Sequence, residues 1–146
     1  GLPDKFFEKN PEFFNIPAPF SFAAETLNLI SSKHSIVYIT ARPEGSRNVT
    51  LDYLKRFDFP QAPVIFTADK AAVARKIGVD VALEDSPYEI LQYNAAGIPV
   101  CIKDWDYNRS VNSLLRFDWK YLYQLLNGQN SLNNILTHNK IIHIFP

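Results

Sequence analysis

Three short apolar runs in this chain each end in polar groups able to handle an anion: Thr40 and Arg42 after residues 36–39, Asp69-Lys70 after residues 64–66, and Glu84-Asp85 after residues 79–83. A hydroxyl donor, a fixed ammonium and a carboxylate pair are the parts that phosphoryl transfer needs. They supply a hydrogen bond to a phosphate oxygen, a compensating charge and oxygen ligands for a hard cation such as Mg²⁺. Singly, each has a plain structural role. Thr40 suits a strand because it is β-branched, Lys70 suits a solvated first helical turn, and Glu84 and Asp85 suit the start of a helix, where the dipole favours acids. Their occurrence in this order at successive strand ends favours chemistry, although no base or sugar specificity follows from it.

The elements that must position these groups can be read from the hydropathy pattern. Ser21 is placed to cap a helix in which Ala23, Leu27 and Ile30 share a face, and residues 36–39 then form a strand ending at Thr40. A polar loop over 41–48 leads to a helix striped by Val49, Tyr53 and Phe57, with the next strand at 64–66. Asp69 is placed to cap a helix through Ala74 and Ile77, which Gly78 closes before a strand at 79–83. Ser86-Pro87-Tyr88-Glu89 has the form of a capping box with proline at the first helical position. Gly97 ends that helix, residues 99–103 make a fourth strand, and Asp118 caps a last helix through Trp119, Leu122 and Leu126. Such alternation predicts right-handed crossovers and a mostly parallel sheet with helices on both faces, with function gathered at the carboxyl ends of the strands.

The segments SIVYITAR (35–42), ADKAAVARKIGVDVALEDSP (68–87) and AAGIPV (95–100) resemble the second, third and fourth signature motifs of haloacid dehalogenase (HAD) superfamily phosphatases. Their flavour is that of the 5'-nucleotidase or deoxyribonucleotidase-like branch, and the likeness covers roughly two thirds of the chain. The resemblance implies a three-layer α/β/α, Rossmann-like core. It also implies that Thr40 bonds a phosphate oxygen, that Lys70 neutralises the nucleophile and the transferring phosphoryl group, and that Asp85 ligates Mg²⁺. Glu84 would reach the ion through water, while Arg42, Asn108 and Arg109 would contact the substrate. The expected partner is a small phosphorylated molecule, a nucleotide in the sharpest form of the reading.

The family's first motif is a strand ending in Asp-x-Asp that supplies the nucleophile and a general acid and base. No such motif precedes Thr40. Asp104-Trp105-Asp106 follows a strand but comes after the fourth motif, which makes it a minor candidate. In the family the missing strand lies mid-sheet, so something must fill the gap, because unpaired backbone in a buried parallel sheet is costly. The candidates are an upstream segment, a second copy forming a homodimer, or the apolar tail, read as a strand over 141–145. Residues 1–20 read as the exit of a largely missing lid, 21–128 as the core and 129–146 as the tail. A chain so constituted is expected to hydrolyse phosphate esters poorly or not at all by itself. The alternative is a non-catalytic relic or interaction domain that keeps the scaffold.

Composition limits the other classes. The 146 residues suit one domain, and fifteen basic against fifteen acidic residues leave no global field for nucleic acid polymers or anionic lipid. No apolar run approaches the roughly 20 residues needed to span a bilayer, and the expected setting is soluble and cytoplasmic. Cys101, the single cysteine, reads as a buried structural thiol; His34, His138 and His143 lack ligand spacing, and Trp105 and Trp119 read as packing residues. The chain opens at Gly1 and contains no methionine, so its native start is expected to lie elsewhere.

Overall fold

The computed structural model describes residues 20–128 and 140–143. In chain order the main elements are α1 (Ala23–Ser31), β1 (Ser35–Thr40), α2 (Arg47–Arg56), β2 (Val64–Phe66), α3 (Lys70–Ile77), β3 (Val81–Glu84), α4 (Pro87–Ala95), β4 (Val100–Lys103), β5 (Leu115–Phe117), α5 (Trp119–Gly128) and β6 (Lys140–His143). Single 3₁₀ turns lie at Glu44–Ser46 and Asp106–Asn108. The six strands form one sheet in the order β2-β1-β6-β3-β4-β5. Every neighbouring pair is parallel, as the βα alternation predicts.

Local chemistry explains most of the boundaries. The Asp69 carboxylate accepts the Ala72 amide at 3.3 Å, and Gly78 ends α3 at φ 79°, a left-handed conformation that glycine adopts without a Cβ clash. The Ser86 hydroxyl accepts the Glu89 amide with Pro87 at the first helical position, and Asp118 accepts the Tyr121 amide at 2.7 Å. One cap differs from expectation. It is Phe22, at φ 70°, that precedes α1, not Ser21, and no side chain caps the helix; the Thr26 hydroxyl and amide both donate to the Phe22 carbonyl instead. β5 is an additional edge strand, and β3 and β4 begin at Val81 and Val100, slightly later than the apolar runs suggest.

Strand alternation divides the core between the two faces. Ile36, Tyr38, Val81, Leu83, Cys101 and Phe117 pack with α1, α5 and the Tyr53-Leu54 pair of α2, burying the Cys101 thiol. Ile39, Ala82, Val100 and Ile102 pack with Ala71 and Ala74 of α3 and with Ile90 and Tyr93 of α4. All four residues of β3 are buried, as in a strand covered on both faces. Among the described residues no helix is long and apolar enough to cross a membrane.

The position between β1 and β3 is taken by β6 of the same chain. Its backbone pairs Ser35 with Lys140 through Tyr38 with His143 on one side, and Val81 with Ile141 through Leu83 with His143 on the other. The tail is therefore the candidate that closes the sheet, and its described strand is Lys140–His143 against the expected 141–145. Residues 1–19, which carry most of the expected lid remnant, lie outside the described residues, as do 129–139 and 144–146.

Candidate functional site

The parallel register brings the polar strand ends to one edge. Tyr38 and Leu83 both pair with His143, so Thr40 and Asp85, each two residues further on, stand at the same level of the carboxyl edge. They are two strand spacings apart, about 10 Å. Alternation turns Thr40 toward the face shared by Tyr38 and Leu83, and turns Glu84 toward the α3–α4 face with Ala82.

That turn explains the partner of Lys70. Lys70 opens α3 and points to the end of β3, where its Nζ lies 3.3 Å from Glu84 Oε2; the two side chains are only 5% and 1% exposed. The other Glu84 oxygen accepts the amides of Asp85 at 2.9 Å and Ser86 at 3.1 Å. Burial raises the Glu84 pKa to about 7, opposed by the charge of Lys70 and by these amides. Lys70 is therefore not the solvated lysine that its helical position alone would suggest. Nearby, the Tyr93 hydroxyl is buried without a hydrogen-bond partner among the described residues, and burial together with Glu84 and Glu89 raises its pKa.

Asp85 sits differently. Its Oδ2 accepts the Tyr107 hydroxyl at 2.5 Å, and its backbone carbonyl accepts Asn108 Nδ2 at 2.9 Å. Burial, that hydrogen bond and the charges of Asp85 and Glu84 raise the Tyr107 pKa, so the phenol remains a donor at neutral pH. Asn108 is fully buried and uses its whole amide. Nδ2 also donates to the Lys103 carbonyl at 2.8 Å, while Oδ1 accepts the Trp105 amide and Arg116 Nη1.

The remaining expected residues are dispersed around this edge. Thr40 is fully buried, and its hydroxyl accepts the Arg42 amide at 3.1 Å. The Arg42 guanidinium reaches α2, 3.5 Å from the Thr50 hydroxyl, and burial lowers its pKa to about 10, which leaves it charged at neutral pH. Arg109 is well exposed and pairs with Asp104 at 3.4 Å and Asp106 at 2.9 Å. Asp104, the minor candidate for a nucleophile, also accepts Arg116 Nη1 at 2.8 Å. Burial pushes the Asp104 carboxyl up, but the bonds from Arg116 and Arg109 outweigh this and hold it below the usual carboxylate value.

Three residues at this edge were missing from the sequence reading. Arg116 bonds Asp104, Asn108 and the Val111 carbonyl, tying β5 to the loop after β4. Tyr107 covers one oxygen of Asp85. Lys103 ends β4 with its Nζ 4.0 Å from the Trp105 ring centroid. The available signal was position for Lys103, which ends β4; Tyr107 in the following turn and Arg116 at the centre of β5 carried none.

Mg²⁺ can be tested against these donors. Glu84 is a poor ligand, because its oxygens already serve Lys70 and two amides in a nearly sealed position. Asp85 alone fits, offering one oxygen free of Tyr107. Among the described residues no cluster of three or more His, Cys, Asp or Glu side chains is positioned to hold a metal. Mg²⁺ can nonetheless bind through one carboxylate, several waters and substrate phosphate oxygens, so the arrangement suits a weak, water-rich site.

Comparison with known proteins agrees with this architecture. The chain is similar over 104 residues, at 31% identity, to the Oceanobacillus iheyensis protein named "Putative nucleotidase OB0422". The match covers 66% of this chain and 55% of that protein, so the chain spans about half the length of the relative it matches. Residues 5–131 match the family described as "5' nucleotidase, deoxy (Pyrimidine), cytosolic type C protein". With the parallel α/β/α core and the motifs at its carboxyl edge, that match places the chain in this family of HAD-like 5'-nucleotidases.

Proposed function

We propose that this chain carries the phosphate- and Mg²⁺-binding part of a nucleotidase-type phosphate monoester hydrolase, acting on a deoxypyrimidine nucleoside 5'-monophosphate or a close analogue. The observation that supports it best is the meeting, at one sheet edge, of the buried Lys70–Glu84 pair with the adjacent Asp85. The family description and the relative's printed name support the substrate class. A cytoplasmic setting belongs to the same reading and rests on the words "cytosolic type" in that description.

Within this reading Asp85 holds Mg²⁺, and the bound ion supplies positive charge to the phosphate oxygens. Glu84 anchors Lys70 at the end of β3. The Lys70 ammonium at that strand end would add positive charge for the phosphate. Thr40 presents its hydroxyl from the end of β1, with the Arg42 amide fixing the oxygen. Asn108 holds the Asp85 backbone in place and has no amide group left to contact substrate, and Arg109 lies outward with Asp104 and Asp106.

No attacking carboxylate belongs to this set. Asp104 is held by two arginines and Asp106 is exposed, whereas binding an anion equally well in the ground and transition states gives no acceleration. The chain by itself is therefore expected to turn over substrate poorly, because the strand between β1 and β3, Lys140–His143, carries no carboxylate in its sequence. A non-catalytic role is the second reading, favoured by the near-complete burial of Thr40 and Lys70. A phosphatase assay on the purified chain with Mg²⁺ tests the assignment. Turnover at or near background is expected; robust turnover lost in Asp104→Asn or Asp106→Asn would show the nucleophile to be misplaced.

A further inference from the structure

The cations around the carboxyl edge differ in what already occupies them. Lys70 is sealed against Glu84. Arg116 spends its guanidinium on Asp104, Asn108 and the Val111 carbonyl, and Arg109 pairs with Asp104 and Asp106. Arg42 turns to α2. Lys103 is the exception. Its Nζ lies 4.0 Å from the Trp105 ring centroid and 5.4 Å from that of Phe20, and it donates to the Asp104 carbonyl at 3.4 Å. Among the described residues it forms no ion pair within 4.0 Å.

The position of Lys103 is equally specific. β3 pairs Glu84 with Ile102, so Lys103 is level with Asp85 at the same edge. Asp118, Asp104 and Asp85 act on it electrostatically, but each carboxylate has another partner: the Tyr121 amide, the arginines 109 and 116, and the Tyr107 hydroxyl respectively. Two aromatic walls remove water from one side of the ammonium and fix its place, which strengthens its attraction for an anion arriving from the open side.

We propose that Lys103 is the anion-binding cation of this edge, contacting the phosphate of a phosphate monoester held beside Asp85. The proposal rests on the reading of the site given above and adds a residue to it, with Lys103 meeting the incoming phosphate and Lys70 acting from beneath.

Inorganic phosphate with Mg²⁺ is the probe, with affinity read by calorimetry and place read by tryptophan emission, since Trp105 touches the ammonium. Lys103→Met is expected to weaken binding at least about tenfold and Lys103→Arg to keep it within about threefold. Lys120→Met, which removes an exposed charge on α5, should change nothing, and Trp105→Phe should abolish the emission change. Should Lys103→Met fail to fold, Lys103→Gln carries the same expectation. Unchanged affinity in Lys103→Met, with loss in Lys70→Met, would overturn this inference and leave the site reading standing. Absence of phosphate binding by the unaltered chain would overturn both.

Discussion

Lys70 Nζ and Glu84 Oε2 meet at 3.3 Å with both side chains almost completely enclosed, joining the first turn of α3 to the last residue of β3. Breaking a buried pair leaves an uncompensated charge, so Lys70→Met and Glu84→Gln should each destabilise the chain by about 3–5 kcal/mol. The double variant should cost clearly less than the sum, because it leaves no unpaired ion. Denaturant unfolding of all four proteins measures the coupling; strictly additive losses would show that the pair does not act as one unit.

The same carboxyl predicts a pH dependence. Its folded pKa is raised from 4.5 to about 7 by burial, so the folded state binds the proton more tightly than the unfolded state. The stability linked to Glu84 is therefore fully present below about pH 4.5 and is lost as pH rises through about 7, an effect of at most about 3 kcal/mol. Unfolding midpoints measured across this window should decline with pH from this group. The Lys70→Met/Glu84→Gln double variant should lack that component, and an identical slope in the double variant would place its origin elsewhere.

Asn108 and Arg116 predict a second point of fragility. Asn108 links Asp85, Lys103, Trp105 and Arg116 through one buried amide, so Asn108→Ala leaves several enclosed groups without partners. A loss of about 3 kcal/mol is expected, with a smaller loss for Arg116→Lys, which keeps the charge but not the fork. Thermal unfolding tests this, and a change under about 0.5 kcal/mol in Asn108→Ala would contradict it.

What could be read from the sequence was mainly local. The caps at Asp69, Ser86 and Asp118 and the glycine stop at Gly78 depend on a few consecutive residues, and they form. The alternation of apolar runs likewise gave the parallel sheet and the edge at which Thr40, Glu84 and Asp85 gather. β5 escaped because Leu-Arg-Phe is too short to show a period and has a charge at its centre. The use of Asn108 and the pairing of Lys70 with Glu84 escaped for another reason. Both are set by which elements the fold brings side by side, α3 against the end of β3 and the turn after β4 against Asp85, and in sequence Asn108 looks like an available polar side chain while Lys70 looks solvated. The filling of the central gap by β6 was one of three open alternatives, because an apolar tail carries no mark of which strands it will join.

Tyr107 bears on metal affinity. Its hydroxyl occupies Asp85 Oδ2 at 2.5 Å, so a cation must compete with it for that oxygen. Tyr107→Phe should strengthen Mg²⁺ binding by up to about tenfold, the worth of one hydrogen bond to a carboxylate. Calorimetric titration with Mg²⁺ alone reads the effect; weaker binding in the variant would mean that the phenol orients the carboxylate for the ion.

The most direct measurement is a calorimetric titration of the chain with a deoxypyrimidine nucleoside 5'-monophosphate, with and without Mg²⁺, repeated for Asp85→Asn. If this edge is a phosphate site completed by an ion on Asp85, the unaltered chain binds the nucleotide more tightly with Mg²⁺ present, and Asp85→Asn removes that Mg²⁺ dependence while remaining folded. Failure of the unaltered chain to bind, or a Mg²⁺ dependence that survives Asp85→Asn intact, would contradict the account.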